Sequence, residues 1–335
     1  MALVRVKYIF LVDNFDLFEK MTDEIFTDHL RVDPKEHPIL FTEPSLHNKE
    51  NRIKLTEMMF EKYGIPAMFI CKSAVLSAFS CGRSTCLVFD SGHSSTYAVP
   101  VHDGYALQKS MLKCDLAGDW VTSELLKSVE SKNTLIPHYK FKKNFVADSF
   151  VTEYLEGIKD DPTYESFWKK EIIREMKEST LSVFDADTNN QITQTTFELP
   201  DGQVVEIGDE RNSILERLFH PIKEVQGFFG YHQMVLDAIA KADVDIRKEL
   251  GFNIFICGGN TLFPNFPERM QKTLLNYSSP SVKIKIILHP SAAERKFSSW
   301  IGGSILSSLG TFHQLWLSKI EYEEHGAMII ERKCA

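Results

Sequence analysis

The stretch Glu294 to Thr311, ERKFSSWIGGSILSSLGT, decides how the rest of the chain is read. It lies in the most apolar later segment, Phe297 to Trp316, where Gly302, Gly303 and several serines interrupt the apolar run. A membrane span needs roughly 20 uninterrupted apolar residues, which this segment lacks. Small residues on an apolar helix let another element approach closely, so the segment reads as a close-packed core helix.

Upstream, Asn253 to Cys257 reads as a buried strand that passes through Gly258-Gly259-Asn260-Thr261 into a helix starting near Pro264. Strand, glycine turn and helix in that order leave backbone N–H groups where an anion can bind. Thr85 to Phe89 is another short apolar strand. It enters Asp90-Ser91-Gly92-His93-Ser94-Ser95, and alternation resumes from Tyr97 to Val101 before Asp103-Gly104, the pattern of a hairpin. His37 to Pro44 reads as a buried strand closed by proline, followed by a helix over about Lys49 to Tyr63. Before it, Phe15, Phe18, Met21, Ile25 and Phe26 fall on one helical face with Asn14 as the cap. From His138 to Leu181 charges and aromatics, among them Lys140, Lys142, Lys143, Tyr154, Trp168 and Met176, mix at helical spacing and predict a helical, partly exposed region. Asp201-Gly202 between apolar runs predicts a tight turn.

The 335 residues correspond to about two domains, and an apolar fraction of 43% supports a sizeable core. With 38 basic against 46 acidic residues the net charge is -8, which excludes a generally basic surface built to grip nucleic-acid phosphates. Direct sequence-specific nucleic-acid binding is therefore not expected, and any DNA contact would come through a partner. Cys71, Cys81, Cys86, Cys114, Cys257 and Cys334 form no C-x-x-C pair and read as reduced thiols of the cytosol or nucleus. Leu3 to Val12 is apolar but carries Arg5 and Lys7 and meets no small-residue cleavage site before Asp13, which argues against a signal peptide. No membrane partner is expected.

Taken singly, the motifs are modest. In Asp90-Ser91-Gly92 a glycine admits backbone amides to a phosphate and an acid can hold a metal-bound water, yet an ordinary hairpin turn has the same sequence. Gly258-Gly259 marks close approach of something, ligand or packed backbone. Lys177-Glu178 reads as a solvated helix face and Lys296 as surface charge. His93, His102 and His232 have no partner at metal spacing, and no nucleophile elbow, Walker loop or HExxH is present. Pattern alone gives an α/β protein with a turn able to face phosphate.

Ten longer runs together resemble actin and its relatives over nearly the whole chain. Besides Glu294 to Thr311 they include His37 to Glu43 (HPILFTE), Pro66 to Ser77, Gly82 to Gly92, Pro100 to Leu107, Asp115 to Gly118, Glu198 to Gly208 (ELPDGQVVEIG) and Asp243 to Leu250 (DVDIRKEL). Val101 to Tyr105, Leu135 to Tyr139 and Glu321 to Glu324 are most similar to nuclear actin-related proteins of the number-four class, subunits of SWI/SNF (BAF-type) remodellers. The resemblance implies an α/β, actin-like ATPase (ribonuclease H-like) two-lobe fold. Residues 1–80 plus 298–335 would be a remnant of its first subdomain, 81–116 plus 227–297 the third, and 117–226 the fourth.

Such folds clamp ATP phosphates between two glycine-containing hairpins whose acids organise magnesium. Met1 to Asn14 contains no glycine, so the first phosphate hairpin and the small outer subdomain are expected to be missing, with Val4, Val6, Tyr8 and Phe10 supplying a substitute strand over Leu3 to Val12. The resemblance carries cofactor-binding positions onto Ser91, Gly92, Lys177, Glu178, Gly258, Gly259 and Lys296. ATP binding stays open, no dedicated metal site is expected, and no catalytic residue is assigned. The glutamine and histidine that orient water in actin are Ser73 and Tyr97 here, and the acid after the second hairpin's glycine is His93. Hydrolysis is accordingly not expected, since positioning and electrostatics carry phosphoryl transfer.

The resemblance also implies a groove that takes an amphipathic partner helix, matched here by Gly104, Tyr105, Leu306, Leu309, Thr311 and Leu315. The resemblance implies a nuclear scaffold that binds a helicase-SANT-associated helix of a remodelling ATPase together with actin. The alternative is a cytoplasmic, cytoskeletal actin-like ATP-binding protein or filament component.

Overall fold

The computed structural model describes residues 14–334 except 47, 147–148, 156, 159–160, 185–193, 222–227 and 280–282. Asn14 caps α1 (Phe15–Glu24), its Oδ1 accepting from the Leu17 amide at 3.0 Å. Wider turns carry the helix on to Leu30. Strand β1 (Ile39–Glu43), helix α2 (Lys49–Glu57), strand β2 (Ala67–Lys72) and helix α3 (Ser73–Ser80) follow. Next come β3 (Cys86–Ser91), β4 (Thr96–His102), β5 (Tyr105–Ala106), β6 (Leu112–Cys114) and α4 (Gly118–Glu130). The middle of the chain holds β7 (Phe141–Val146), β8 (Ser149–Tyr154), α5 (Pro162–Thr180), β9 (Thr195–Glu198), β10 (Val204–Ile207) and α6 (Glu210–Phe219). Then α7 (Tyr231–Lys241) and α8 (Val244–Phe252) lead to β11 (Ile254–Cys257), α9 (Phe266–Tyr277), β12 (Ile286–Ile287), α10 (Ala292–Lys296) and α11 (Ser298–Ser308). The chain closes through β13 (Leu317–Ser318), α12 (Lys319–His325) and α13 (Ile330–Lys333).

Two sheets organise these elements. In the smaller one β1 runs parallel to β2, with Phe41 opposite Ile70, and β13 pairs antiparallel with β2. In the larger one the order is β12-β11-β3-β4-β5, with β6 also on β4. Strand β11 lies parallel to β3, and β3 turns back antiparallel into β4 with Val88 opposite Val99. The predicted hairpin, the strand before Gly258 and the Asp201-Gly202 turn between β9 and β10 are all present.

One apolar cluster lies under the larger sheet, around Phe89, Ile173, Met176, Phe219, Tyr231 and Phe266. A second packs Phe18, Phe26, Phe41, Met59 and Ile330 on the smaller sheet. Between them α3 and α11 bury Val75, Leu76 and Leu306 with Phe312 and Trp316. Gly302 permits this junction, because a Cβ there would lie 1.6 Å from the Leu76 carbonyl oxygen. The core helix expected over Phe297 to Trp316 ends at Ser308, and a tighter turn over Gly310–Gln314 finishes the segment.

Two expectations change. Met21 is 55% exposed, because the buried stripe of the first helix runs through Phe18, Thr22 and Phe26. Thr22 tolerates that burial by donating its hydroxyl to the Phe18 carbonyl at 2.7 Å. Among the described residues from His138 to Leu181, the helical part is α5 with a short 3-10 turn over His138–Lys140, whereas β7 and β8 form a hairpin with Lys143 opposite Thr152. Period-two placement of Phe141, Lys143 and Phe145 defines that strand, and the interleaved lysines conceal it from a reading by hydropathy. Helix α5 begins where Asp161 accepts from the Thr163 amide at 2.8 Å and Pro162 fills the first turn. The strand expected over Leu3 to Val12 lies outside the described residues. Among the described residues no helix is long and apolar enough to cross a membrane.

Candidate functional site

A cavity of about 840 Å³ opens between the two sheets. Thr42, Glu43 and Pro44 border it at the end of β1, and Ser73 and Ser77 at the start of α3. The turn from β3 to β4 contributes Asp90, Gly92, His93, Ser94 and Ser95, with Tyr97 beyond. Helix α5 presents Phe167, Glu171, Arg174, Lys177 and Glu178, and the far wall is Cys257 to Asn260 with Arg295 and Lys296.

Backbone contacts set the two turns. The Gly118 and Asp119 amides at the start of α4 donate to the Gly92 and His93 carbonyls at 3.0 and 2.7 Å, anchoring the β3–β4 turn. On the other side Gly258 has φ +93°, and a Cβ there would lie 2.3 Å from the Ser91 carbonyl oxygen and 2.5 Å from Asp90 Oδ1. The glycine is thus required both for its left-handed backbone and for close approach of β11 to β3.

Charge around the cavity is largely committed. Arg52 Nε and Nη2 donate to Glu43 Oε2 and Oε1 at 2.9 and 2.8 Å in a buried pair, so Glu43 faces away from any ligand's needs. Arg174 is ion-paired with Glu171. Lys177 is buried, and its Nζ donates to the Gly118 carbonyl and to Thr122 Oγ1, both at 3.1 Å. Burial first, then Arg174 and Lys296, lowers its pKa, while Glu178 and Asp119 oppose the shift. Burial likewise lowers His93, against the pull of Asp119 at 3.8 Å. Tyr97 is pushed well above the usual phenol range by burial.

Six of the seven sequence-predicted binding residues, Gly92, Lys177, Glu178, Gly258, Gly259 and Lys296, line this one cavity. Ser91 does not. Its side chain is fully buried, with Oγ 2.8 Å from Thr96 Oγ1, 3.2 Å from the Tyr231 hydroxyl and accepting from Asn260 Nδ2 at 3.1 Å. Alternation along the strand turns Asp90 and Gly92 toward the cavity and Ser91 into the core. The reading of Lys177 as a solvated residue is also corrected, since only its neighbour Glu178 is exposed. Thr42, Arg174 and Asn260 were not singled out from sequence. Phe167, Glu171, Arg174 and Glu178 recur at steps of four, three and four, a legible face of α5.

Elsewhere, Tyr105, Leu309 and Leu315 are 69%, 42% and 49% exposed, and Thr311 is exposed as well. Leu306 is buried in the cluster between the sheets and offers little contact of its own. The Phe79 ring packs on the same cluster and lies 3.9 Å from where a Gly104 Cβ would be.

Does the cavity suit an adenine nucleotide? Thr42 Oγ1, Asn260 Oδ1 and Arg295 Nε are buried at its wall with no hydrogen-bond partner, and such atoms call for a ligand or water. Two glycine-bearing turns and the cations of α5 and α10 supply a phosphate-sized cradle. Gly258, Gly259, Lys177, Glu178 and Lys296 would hold the nucleotide. Among the described residues no three His, Cys, Asp or Glu side chains converge as a cage for a bare metal ion.

A sequence profile of the family described as Actin matches residues 8–335. Actin-related protein 4 of Arabidopsis thaliana is 41% identical over 342 residues, spanning 97% of this chain and 78% of that protein. Proteins of the same name from Oryza sativa subsp. indica and subsp. japonica are each 41% identical over 340 residues, spanning 96% of this chain and 77% of theirs.

Proposed function

The chain belongs to the actin family, and from that premise we propose that it is a non-hydrolysing, actin-related scaffold subunit of nuclear chromatin-remodelling or histone-acetyltransferase complexes. The observation that carries this reading is the chemistry of three cavity-lining side chains, Ser73, His93 and Tyr97. In actin-like folds a glutamine and a histidine orient the attacking water and an acid anchors hydrated magnesium. A short hydroxyl, a buried phenol and an imidazole do not supply those groups. Losing several positioning groups together lowers turnover by orders of magnitude.

A scaffold also needs a docking surface. Tyr105, Leu309 and Leu315 each expose apolar area, which would suit the apolar stripe of an amphipathic helix. The partner in this reading is a helicase-SANT-associated helix of a remodelling ATPase, bound together with actin, with chromatin reached through the assembly. The resemblance to actin-related proteins of the number-four class supports that choice over a cytoskeletal role.

Copurification of the tagged full chain from nuclear extract, with partners identified by mass, tests the reading. Remodeller subunits and actin are the expected companions. Recovery with microtubule motors or cortical proteins and no remodeller subunits overturns the nuclear assignment. Phosphate release at the rate of ordinary actin overturns the non-hydrolysing part.

A further inference from the structure

We propose that the cavity binds the phosphates of an adenine nucleotide without a divalent cation, the His93 imidazole standing against them in the place of a metal-anchoring carboxylate. This rests on the reading of the cavity as a nucleotide cleft, and it is independent of the partner assignment.

The position of His93 is built, because the backbone on either side of its side chain is fixed. Its carbonyl accepts from the Asp119 amide at 2.7 Å and the preceding Gly92 carbonyl from the Gly118 amide at 3.0 Å. These bonds hold a half-exposed imidazole on the cavity wall, on the same turn as Gly92, Ser94 and Ser95. Free imidazole N–H donates directly to a phosphate oxygen and needs no bridging ion.

Of the acids that border the cavity, two are already held by cations of this chain. Glu43 is spent on Arg52, and Glu171 on Arg174. Asp90 Oδ1 lies against the Gly258 turn, where it leaves room only for glycine. Glu178 sits exposed on α5, the remaining acid of the set. Positive charge reaches the cavity from Arg295 and Lys296 and, shared with Glu171 and the Gly118 carbonyl, from Arg174 and Lys177 on α5. Neutralisation of a polyphosphate therefore falls to side chains of this chain.

The same neighbours define a pH response. Facing His93 are Asp119 from α4, 3.8 Å away and itself 3.1 Å from Lys170, and the cations Lys170, Arg174 and Lys177 from α5. Burial and those three cations disfavour a charged imidazole in the empty protein, and Asp119 alone favours it. A phosphate beside the ring reverses the local field, so the liganded protein holds the proton more tightly. Ligand and proton then bind cooperatively: affinity rises as pH falls through the imidazole range, about tenfold for each unit by which the ligand raises its pKa.

The test uses the full chain and ATP, titrated by calorimetry between pH 8 and pH 5.5 with excess magnesium and again with EDTA. The expected result is affinity unchanged within about threefold by EDTA and about tenfold tighter at the acid end. His93→Gln should abolish the part of the tightening not due to the terminal phosphate's own titration. His93→Asp should make binding at least about tenfold weaker in EDTA than in magnesium. Thermal melting of both variants confirms that they fold, and Lys296→Ala serves as a second probe of the same cleft if either fails to. Loss of parent binding in EDTA, or a pH profile identical in parent and His93→Gln, overturns the proposal. Absence of ATP binding in both buffers overturns it too and leaves the partner experiment to decide the scaffold reading separately.

Discussion

Gly302→Ala is the substitution for which the structure predicts the largest effect from the smallest chemical change. The added methyl carbon would lie 1.6 Å from the Leu76 carbonyl oxygen, 2.5 Å from its carbon and 3.1 Å from Cα, all backbone atoms of α3. No side-chain rotation relieves that overlap. Helices α3 and α11 must separate by roughly 1.5 Å, a gap that forfeits about half of each dispersion contact across it. The contacts concerned belong to Val75, Leu76 and Leu306 and the rings of Phe312 and Trp316. Overpacking a core typically costs about 1–3 kcal/mol, and with backbone on both sides the expected cost is at the top of that range or beyond it, about 3–5 kcal/mol. Unfolding entropy of about 2.1 cal/mol/K per residue gives roughly 0.7 kcal/mol/K for 335 residues, hence a melting temperature lower by about 4–7 °C. Calorimetry measures it. Gly310→Ala is the control, since nothing lies within 4 Å of the Cβ it would add, and it should be neutral or slightly stabilising. A Gly302→Ala melting temperature within about 1 °C of the parent would refute the close-approach argument. Because Ser73 and Ser77 on α3 and Ser298 and Ser299 on α11 line the cavity, the same variant should also loosen ligand binding there.

Arg52→Ala removes a guanidinium that holds both oxygens of the buried Glu43 carboxylate and also reaches Glu331 Oε1 at 3.1 Å and the Cys334 carbonyl. A loss of about 3–5 kcal/mol in urea unfolding is expected, and the double variant with Glu43→Gln should recover part of it. His232 is buried with its pKa lowered to about 4, by burial first and then by His220 and Arg269. Above pH 6.5 it is neutral folded and unfolded alike; between 6.5 and 4 the unfolded chain takes a proton that the folded one refuses, so stability falls by roughly 2–3 kcal/mol. His232→Gln should flatten that part of the stability profile measured by denaturant melts. Restoring glutamine at Ser73 and histidine at Tyr97 should raise phosphate release less than about tenfold while His93 remains, read in a single-turnover assay with magnesium.

Much of the architecture was legible in the order of residues. Period-two runs on either side of Asp90-Ser91-Gly92, the apolar Asn253 to Cys257 before paired glycines, and the small residues Gly302 and Gly303 within an apolar helix each impose a local geometry with few alternatives. The hairpin of β7 and β8 was less legible, because exposed lysines on both faces of a peripheral strand erase the hydropathy contrast that reveals it. Long matching runs then determined the family.

What required the tertiary structure was direction and commitment. Ser91 and Gly92 are neighbours in the chain, yet pleating aims one into the core and leaves the other on the cavity. Lys177 and Glu178 are adjacent too, but only packing of α5 on α4 decided that the lysine would be buried on the Gly118 carbonyl and the glutamate left exposed. Glu43 could be counted as an acid from the sequence; that Arg52 consumes it depends on β1 meeting α2 and the C-terminal segment. Local residue patterns act through backbone preferences over a few positions, whereas pKa shifts, buried ion pairs and cavities arise from groups on different elements, from nine to 282 positions apart in the contacts of Arg52, that only the folded chain brings within reach.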